Sequence, residues 1–388
     1  MNHRPLNLMT IFGTRPEVIK LFPLLDQLKS DERFRSVVVC TSQHREMIED
    51  LLQLFGIKPD HDLKVITENQ SLVDISTRCL AGLDPLLKQI RPDMVLVQGD
   101  TTTAFIGALA AFYHKIPIGH VEAGLRSFNK MHPYPEEVNR RLISLVADIH
   151  FAPTNQNARN LHKEGVEPAK VCVTGNTVID TLLHTAKKKR ETLSSYLPTE
   201  TLNSKRMILV TAHRRESWGA PLEGLCHALR DLVSAFSDVQ IVYPVHLNPN
   251  VRKTVFAILR NVERIKLLDP LPYQAFVEAM VQSYLIITDS GGIQEEAPTF
   301  GKPTLVFRKV TERPEGLAMG GVKLVGLDRE VLIREASRLL ADPMAYKNMT
   351  PRFNPYGDGQ ASQRISKAIL HYFDLGEAPE AFNPEQSK

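Results

Sequence analysis

Short apolar runs and amphipathic stretches alternate along the chain. Apolar runs rich in β-branched residues predict buried strands. The segment after the first run opens with Pro16, a residue that suits the first turn of a helix, and it spaces its apolar residues as a helix does. This alternation predicts a parallel sheet with helices on both faces. The strands of this first series are predicted at 6–12, 36–41, 94–97 and 116–121.

A polar stretch over about 186–204 interrupts the alternation, and we interpret it as a helix end followed by a connection. The alternation then restarts, with strands predicted at 207–210, 240–243, 264–267, 285–288 and 304–307. A last helix is predicted over 360–372. Two successive series predict two doubly wound, Rossmann-like parallel-sheet domains.

Polar and charged residues follow many of the predicted strands. Ligands of such sheets bind beyond the carboxyl ends of the strands, so two domains facing each other across that edge would form one cleft. No GxGxxG fingerprint follows any predicted strand, which argues against a dinucleotide site. The residues in such positions are Arg15, Asp100, Glu122, His213, His246 and Ser290.

The stretch YLIITDSGGIQEEAP (284–298) is typical of an anion site. A strand turns through Ser290, Gly291 and Gly292 into a helix, whose first N–H groups and positive dipole end suit a phosphate. Ser290 can cap that helix. Glu296 lies roughly 9 Å further along the axis, which suits a ribose diol. An ordinary capped helix with solvated glutamates fits the local pattern equally well.

Three carboxylates near element ends are candidates for proton transfer: Asp100, Glu122 and Glu136. Asp100 would otherwise be a helix cap, and Glu136 a favourable first-turn charge. Glu122, which ends an apolar strand, is the hardest of the three to explain structurally.

Basic and aromatic residues supply the other candidates. Arg15 and Arg313 can each give parallel hydrogen bonds to a phosphate. Lys20 taken alone is better explained as surface charge. His213 precedes two arginines, which favours a phosphate-facing role. Phe276 could stack on a base, although a core aromatic is the default interpretation.

Composition narrows the class of protein. The formal net charge of +3 over 388 residues indicates neither a nucleic-acid partner nor a membrane surface. Four cysteines without a CxxC pair indicate a reduced, cytoplasmic protein, and no His/Cys cluster or DxDxDG loop indicates a metal site. We expect no signal peptide, because Gly13 and Pro16 break the first apolar run, and no apolar run is long enough to span a bilayer.

The sequence resembles the non-hydrolysing UDP-N-acetylglucosamine 2-epimerases. The matching motifs are collinear and cover nearly the whole chain, so the resemblance is specific. They are FGTRPEVIK (12–20), SQHREM (42–47), QGDTTTA (98–104), GHVEAGLRS (119–127), PYPEEVNRR (133–141), TGNTVID (174–180), TAHRRE (211–216), YPVHLNP (243–249), TDSGGIQEEAP (288–298), TERPEG (311–316) and NPYGDG (354–359).

The resemblance implies a fold like that of the GT-B glycosyltransferases. The first Rossmann-like domain would comprise 1–175 with a returning C-terminal helix at about 360–375, the UDP-binding domain 176–359, and a tail 376–388. It also implies a cytoplasmic homodimer that converts UDP-GlcNAc to UDP-ManNAc without a cofactor, for cell-surface polysaccharide synthesis.

The resemblance assigns roles to individual residues. Phosphate and ribose contacts fall on Arg15, Ser290, Gly291, Gly292, Glu296 and Arg313, and the uracil pocket on Leu271 and Phe276. The acid/base carboxylates are Asp100, Glu122 and Glu136, and the basic active-site residues are Lys20 and His213.

Many bacterial relatives also need a second UDP-GlcNAc as an activator. Gln43, His44, Arg45 and Gln70 match that allosteric site, whereas Glu46 and Asn69 stand where Gln and Arg are expected. Both departures disfavour an anion, so weaker dependence on the activator is expected unless Lys or Arg elsewhere compensates.

Three alternatives remain open. A GT-B glycosyltransferase would need an acceptor, which the three carboxylates argue against. A regulatory nucleotide-sugar-binding module would turn nothing over. A relative acting on a 2,3-diacetamido uronic acid nucleotide would use the same core motifs, and the sequence does not distinguish it.

Overall fold

The computed structural model describes residues 4–42, 45–67, 70–188, 193–197 and 206–386, without the side chains of 45–47. The chain divides into two compact units. One comprises Met1–Thr181 and Tyr356–Asn383, and the other Leu182–Pro355 and Pro384–Lys388. No helix within the described ranges is both long and apolar enough to cross a membrane.

The first unit is built on a parallel sheet with the strand order β3-β2-β1-β4-β5-β6-β7 across its described residues. The inner strand β1 is almost wholly buried, because helices cover both faces of the sheet. Its elements are β1 Leu6–Phe12, α1 Arg15–Lys29, β2 Phe34–Cys40, α2 Arg45–Phe55, β3 His61–Asp62, α3 Leu72–Ile90, β4 Met94–Gln98, α4 Thr102–Tyr113, β5 Ile118–Val121, α5 Glu136–Val146, β6 Ile149–Ala152, α6 Asn155–Lys163, β7 Val171–Val173 and the start of α7, Thr177–Lys187.

The second unit repeats this topology, with the strand order β10-β9-β8-β11-β12-β13 among its described residues. All of these pairings are parallel. Its elements are β8 Arg206–Thr211, α8 Ala220–Ala235, β9 Val239–Pro244, α9 Pro249–Leu259, β10 Ile265–Leu268, α10 Tyr273–Gln282, β11 Leu285–Thr288, α11 Gly291–Glu296, β12 Thr304–Val306, α12 Pro314–Ala318, β13 Val322–Leu324, α13 Arg329–Ala341 and α14 Pro343–Met349.

The last helix, α15 (Ala361–Tyr372), belongs to the first unit. Asp180 caps it, since its carboxylate accepts the N–H groups of Ala361 at 3.2 Å and Ser362 at 2.8 Å. Within the segment 376–388, which was expected to be a polar tail, the Phe382 side chain is buried, and its N–H donates to the carbonyl oxygen of Val173 at 2.8 Å. A single phenylalanine in a polar segment is too weak a pattern to predict that Phe382 packs against the first unit.

The predicted fold class, two doubly wound Rossmann-like units, is confirmed. Ligands of doubly wound sheets bind beyond the carboxyl ends of the central strands, which are β1, β4 and β5 in the first unit and β8 and β11 in the second.

Candidate active site

Glu122 lies at the carboxyl end of β5 and is held from three directions. The Lys20 ammonium donates to both carboxylate oxygens, at 2.5 and 2.6 Å, and the amides of Gln98 and Asn176 donate to them as well, Asn176 at 3.0 Å. The Lys20 side chain is only 19% exposed, so its interpretation as surface charge is wrong.

The backbone at Glu122 is strained. Its φ of 64° lies in the left-handed region, which side chains with a Cβ rarely adopt and which recurs at functional sites. Two residues on, Gly124 has a φ of 89°, and a Cβ there would lie 2.3 Å from the Asn157 carbonyl oxygen. The chain can therefore make this turn over α6 only with glycine at 124.

Asp100 follows β4 but does not cap α4, so that alternative is wrong. Thr101 is the cap, accepting the N–H of Ala104 at 3.0 Å. The Asp100 carboxylate instead accepts a hydrogen bond from the Arg140 guanidinium, and the Asn139 amide donates to the Asp100 carbonyl at 2.9 Å. Helix α5 thus fixes the loop that carries Asp100.

Two neighbouring glutamates begin α5 and differ in environment. Glu137 is fully buried and accepts the N–H groups of Ser127 at 2.9 Å and Phe128 at 3.0 Å, which makes it the anchor of the loop before the helix. Glu136 is partly exposed, and its Oε2 atom is buried without a hydrogen-bond partner among the described residues. A carboxylate oxygen that is not engaged can accept a proton.

Arg15 and Glu17 belong to the turn after β1. The Arg15 side chain is partly exposed at the first position of α1. Glu17 is buried and accepts from Gly13 N–H at 3.1 Å and from the hydroxyls of Thr14 at 2.7 Å and Thr101 at 2.8 Å. Burial raises the pKa of Glu17 to about 7 despite these bonds. Glu17 ties the loops after β1 and β4 together, a role that the sequence did not reveal.

In the second unit, Ser290, Gly291 and Gly292 lead from β11 into α11. The side chain of Ser290 does not cap the helix, so the predicted cap is wrong; its N–H donates to Thr288 Oγ1 at 2.9 Å. The helix continues as a 3-10 turn over Ala297–Phe300, and Glu296 is partly exposed where the two meet.

The Arg313 guanidinium lies against the start of α11. A Cβ on Gly291 would be 3.2 Å from Arg313 Cζ, so glycine is what lets the cation approach the backbone. Arg313 Nε donates to Glu295 at 2.8 Å, and its Nη1 lies 3.6 Å from a Glu312 oxygen. The cation is thus held in place by two carboxylates, those of Glu295 and Glu312.

Arg308 joins two loops at the same edge. It is 4% exposed and pairs with Glu216, after β8, at 2.6 Å and with Glu312, after β12, at 2.9 Å. Burial favours protonated Glu312, but the hydrogen bonds and the charge of Arg308, together with a backbone hydrogen bond and the charge of Arg313, outweigh burial and lower the pKa of Glu312 to about 2.

His213 follows β8 and faces a buried carboxylate. Its Nδ1 lies 3.2 Å from Asp289 Oδ1, and its ring stacks on that of His246 with centroids 5.4 Å apart. Burial lowers the pKa of His213, as do the charges of His246 and Arg214, whereas Asp289 acts in the opposite direction.

The remaining predicted residues fall in different settings. Leu271, just before α10, is buried, and Phe276 on α10 is partly exposed. Gln70 accepts the Thr67 N–H at 3.1 Å. Gln43 and His44 lie outside the described residues, and the side chain of Glu46 is likewise not described. Among the described residues, no group of three or more His, Cys, Asp or Glu side chains is arranged to hold a metal ion.

Several partners escaped the sequence analysis although they lie in the motifs quoted for the resemblance. Asn176, Gln98, Arg140 and Asp289 contact residues far along the chain, and pattern does not reveal such pairs. Arg308 lies outside those motifs altogether.

Comparison with known proteins gives a consistent picture. The family model described as UDP-N-acetylglucosamine 2-epimerase matches residues 26–370. The UDP-N-acetylglucosamine 2-epimerase of Escherichia coli (strain K12) is 50% identical over 370 residues, covering 94% of this chain and 98% of the relative.

Solved structures agree. That of UDP-GlcNAc 2-epimerase from Neisseria meningitidis bound to UDP-GlcNAc superposes with a TM-score of 0.87 at 45% identity, covering 94% of this chain and 100% of the other. The glycotransferase of kitacinnamycin, 13% identical with a TM-score of 0.61 over 96% of this chain and 98% of its own, shares the fold alone.

Proposed function

The chain belongs to the UDP-N-acetylglucosamine 2-epimerase family, and from that premise we propose that it interconverts UDP-GlcNAc and UDP-ManNAc by inverting C2. The observation that carries this proposal is the Glu122 site: a strained, largely buried carboxylate held by Lys20, Gln98 and Asn176 at the end of β5. Backbone strain at a charged residue is typical of catalytic positions.

The second unit is proposed to bind UDP. Its support is the glycine turn at the start of α11, with Arg313 lying on Gly291. First-turn N–H groups and a guanidinium are strong phosphate donors. We propose that Glu296, further along α11, accepts hydrogen bonds from the ribose hydroxyls, and that Phe276 and Leu271 cover uracil.

The proposed chemistry is elimination followed by re-addition. The C2 proton is not next to a carbonyl group, so direct abstraction is difficult. Loss of UDP from C1 leaves an oxocarbenium-like centre, which acidifies C2–H. A carboxylate then takes this proton, giving 2-acetamidoglucal and UDP. Re-addition of UDP to C1, with a proton delivered to the other face of C2, gives the epimer.

The first unit is proposed to move these protons through Asp100, Glu122 and Glu136. Glu122 already accepts from Lys20 and two amides, and Asp100 from Arg140. Oε2 of Glu136 accepts no hydrogen bond among the described residues, so no existing bond has to break before it takes a proton.

Incubation in D2O tests this mechanism. We expect deuterium at C2 of the product, with no added nicotinamide cofactor, because the abstracted proton exchanges with solvent before return. The same NMR assay run with a UDP-linked 2,3-diacetamido uronic acid identifies the substrate. Retention of the C2 hydrogen through complete turnover would contradict the mechanism.

A homodimer is also proposed. Helix α5 presents Val138, Leu142 and Leu145 at helical spacing, all exposed, and the neighbouring α4 exposes Phe112 and Tyr113. Such an apolar patch favours burial against a second copy.

Sedimentation analysis tests this interface. Leu145 is 78% exposed, so Leu145→Asp should leave the fold intact and convert dimers to monomers. The control is Met344→Asp, an exposed apolar residue of the second unit, which should stay dimeric. A dimer that survives Leu145→Asp would show that the interface lies elsewhere.

We propose that the enzyme works in the cytoplasm and supplies ManNAc-type sugars for cell-surface polysaccharides.

A further inference from the structure

Asp289 is fully buried between β11 and the glycine turn, and its two carboxylate oxygens have different neighbours. Oδ2 accepts the N–H groups of His213 and Arg214, both at 2.8 Å, and the Ser217 hydroxyl at 3.3 Å. It therefore anchors the loop after β8. Oδ1 forms no hydrogen bond among the described residues, and the nearest cationic or ionisable atom to it is His213 Nδ1, at 3.2 Å.

His213 also contacts two aromatic residues, His246 and Trp218. The His246 ring stacks on its face, and the Trp218 indole N–H donates to its carbonyl oxygen at 3.1 Å. The Arg214 guanidinium lies near enough for its charge to act on the imidazole. The imidazole Nδ1 thus lies 3.2 Å from a buried carboxylate oxygen, while the side chain keeps 40% of its surface exposed.

We propose that Asp289 is a positioning residue that acts through His213, holding the neutral imidazole with its proton on Nδ1 and leaving Nε2 as the nitrogen that exchanges protons. This inference rests on the proposed function. A carboxylate facing one imidazole nitrogen fixes the tautomer, because only N–H can approach an anion closely, and it stabilises the imidazolium formed when the other nitrogen is protonated.

In this role, His213 stabilises the charge of the departing diphosphate. β8 and β11 are paired, with Thr211 opposite Thr288, so His213 and the Ser290 turn follow adjacent strands. When the C1–O bond breaks, negative charge grows on the departing diphosphate. A proton that Nε2 takes up from solvent, through the exposed part of the side chain, makes His213 a cation that can face this charge, and the Asp289 carboxylate beside Nδ1 compensates that cation.

Asp289→Asn tests the two oxygens separately. The amide oxygen can still accept the two backbone N–H groups in place of Oδ2, so the loop stays anchored. The amide nitrogen replaces Oδ1 and donates to Nδ1, which forces the proton onto Nε2. We expect kcat to fall about 10²-fold, with little change in KM or UDP affinity.

The decisive readout is the tautomer of His213, measured by ¹⁵N NMR of histidine-labelled protein at a pH where the ring is neutral. We expect Nδ1–H in the unaltered protein and Nε2–H in Asp289→Asn. A wild-type ring protonated on Nε2, or a variant with unchanged tautomer and turnover, would overturn the proposal.

Two further variants separate positioning from folding. Ser217→Ala removes a bond to Oδ2 alone and should keep both tautomer and kcat. In a His213→Gln background, Asp289→Asn should cost no further activity; an additional loss there would make Asp289 merely structural. The tautomer is measured without turnover, so it tests the role of Asp289 whether or not the protein is active. If the protein acts on neither UDP-sugar, the proposed function is wrong, and the tautomer still tests the role of Asp289.

Discussion

Single residues in the two units carry different parts of the proposed reaction, and this gives them different kinetic signatures. Glu122 and Glu136 are expected to act on protons, so their loss should appear in kcat. Arg313 lies on the backbone of Gly291, where a phosphate would sit, so its loss should appear in UDP affinity.

Glu122→Gln and Glu136→Gln should each lower kcat by about 10²–10⁴-fold while changing the Kd for UDP little. Arg313→Ala should weaken UDP binding tenfold or more, since a hydrogen bond from a charged donor is worth about 1.5–3 kcal/mol. Calorimetric titration with UDP beside steady-state kinetics separates the two effects. Arg260→Ala, an exposed arginine at the end of α9, is the control for loss of a positive charge. Near-normal turnover in both glutamine variants would mean that these carboxylates are structural.

At the level of elements, apolar pattern predicted most strands because the sheets are buried on both faces. β1 and β11 match their predicted bounds, 6–12 and 285–288. The two-residue β3 and three-residue β13 are too short to show a pattern. The partners of Glu122 were not predictable, since Gln98 and Asn176 are 24 and 54 residues away and meet it only through the strand order. The cap at Ser290 failed because a small polar residue before a helix is a frequent but not obligatory cap.

The returning helix α15 links folding to the Glu122 site within the first unit. Asp180 on α7 caps α15. Asn176, just before α7, donates its backbone N–H to the Tyr356 carbonyl oxygen at 2.7 Å, and its side-chain amide donates to Glu122. Asp180→Ala leaves two N–H groups without their acceptor. We expect it to destabilise α15 by about 1–3 kcal/mol and to lower kcat through Asn176.

Hydrogen exchange over 361–372 measures this effect without assuming that both units unfold together. Asp328→Ala removes the cap of α13, where Asp328 accepts from Val331 at 3.0 Å, and serves as a matched control in the second unit. It should speed exchange in α13 only. Unchanged exchange in α15 after Asp180→Ala would show that the cap does not hold the helix.

For the molecule as a whole, the first unit buries ionisable groups whose effects on stability oppose each other. Burial lowers the pKa of His120 to about 3 and of His150 to about 4. The unfolded chain takes up these protons below about pH 6.5 and the folded chain does not, so stability falls with acid in that range. Burial raises the pKa of Glu17 to about 7 and of Asp180 to about 6. These groups stabilise the fold at low pH and lose that contribution as pH rises through their folded pKa values.

Glu17→Gln should expose this balance. The amide keeps an acceptor for the Gly13 and Thr14 donors but removes the titration, so the variant should be more stable than the parent at about pH 7.5 and lose that advantage towards pH 5. The difference in unfolding free energy between variant and parent should change by about 2 kcal/mol between these pH values, because each pKa unit is worth roughly 1.4 kcal/mol and Glu17 protonates in the parent across this range.

Urea unfolding followed by far-UV circular dichroism measures this difference. The single tryptophan, Trp218, lies in the second unit, so its fluorescence reports that unit as an internal reference. Glu167→Gln, an exposed glutamate of the first unit, should follow the parent. If Glu17→Gln and the parent keep the same stability difference at both pH values, Glu17 does not titrate in the folded protein and the opposing-charge account of this unit is wrong.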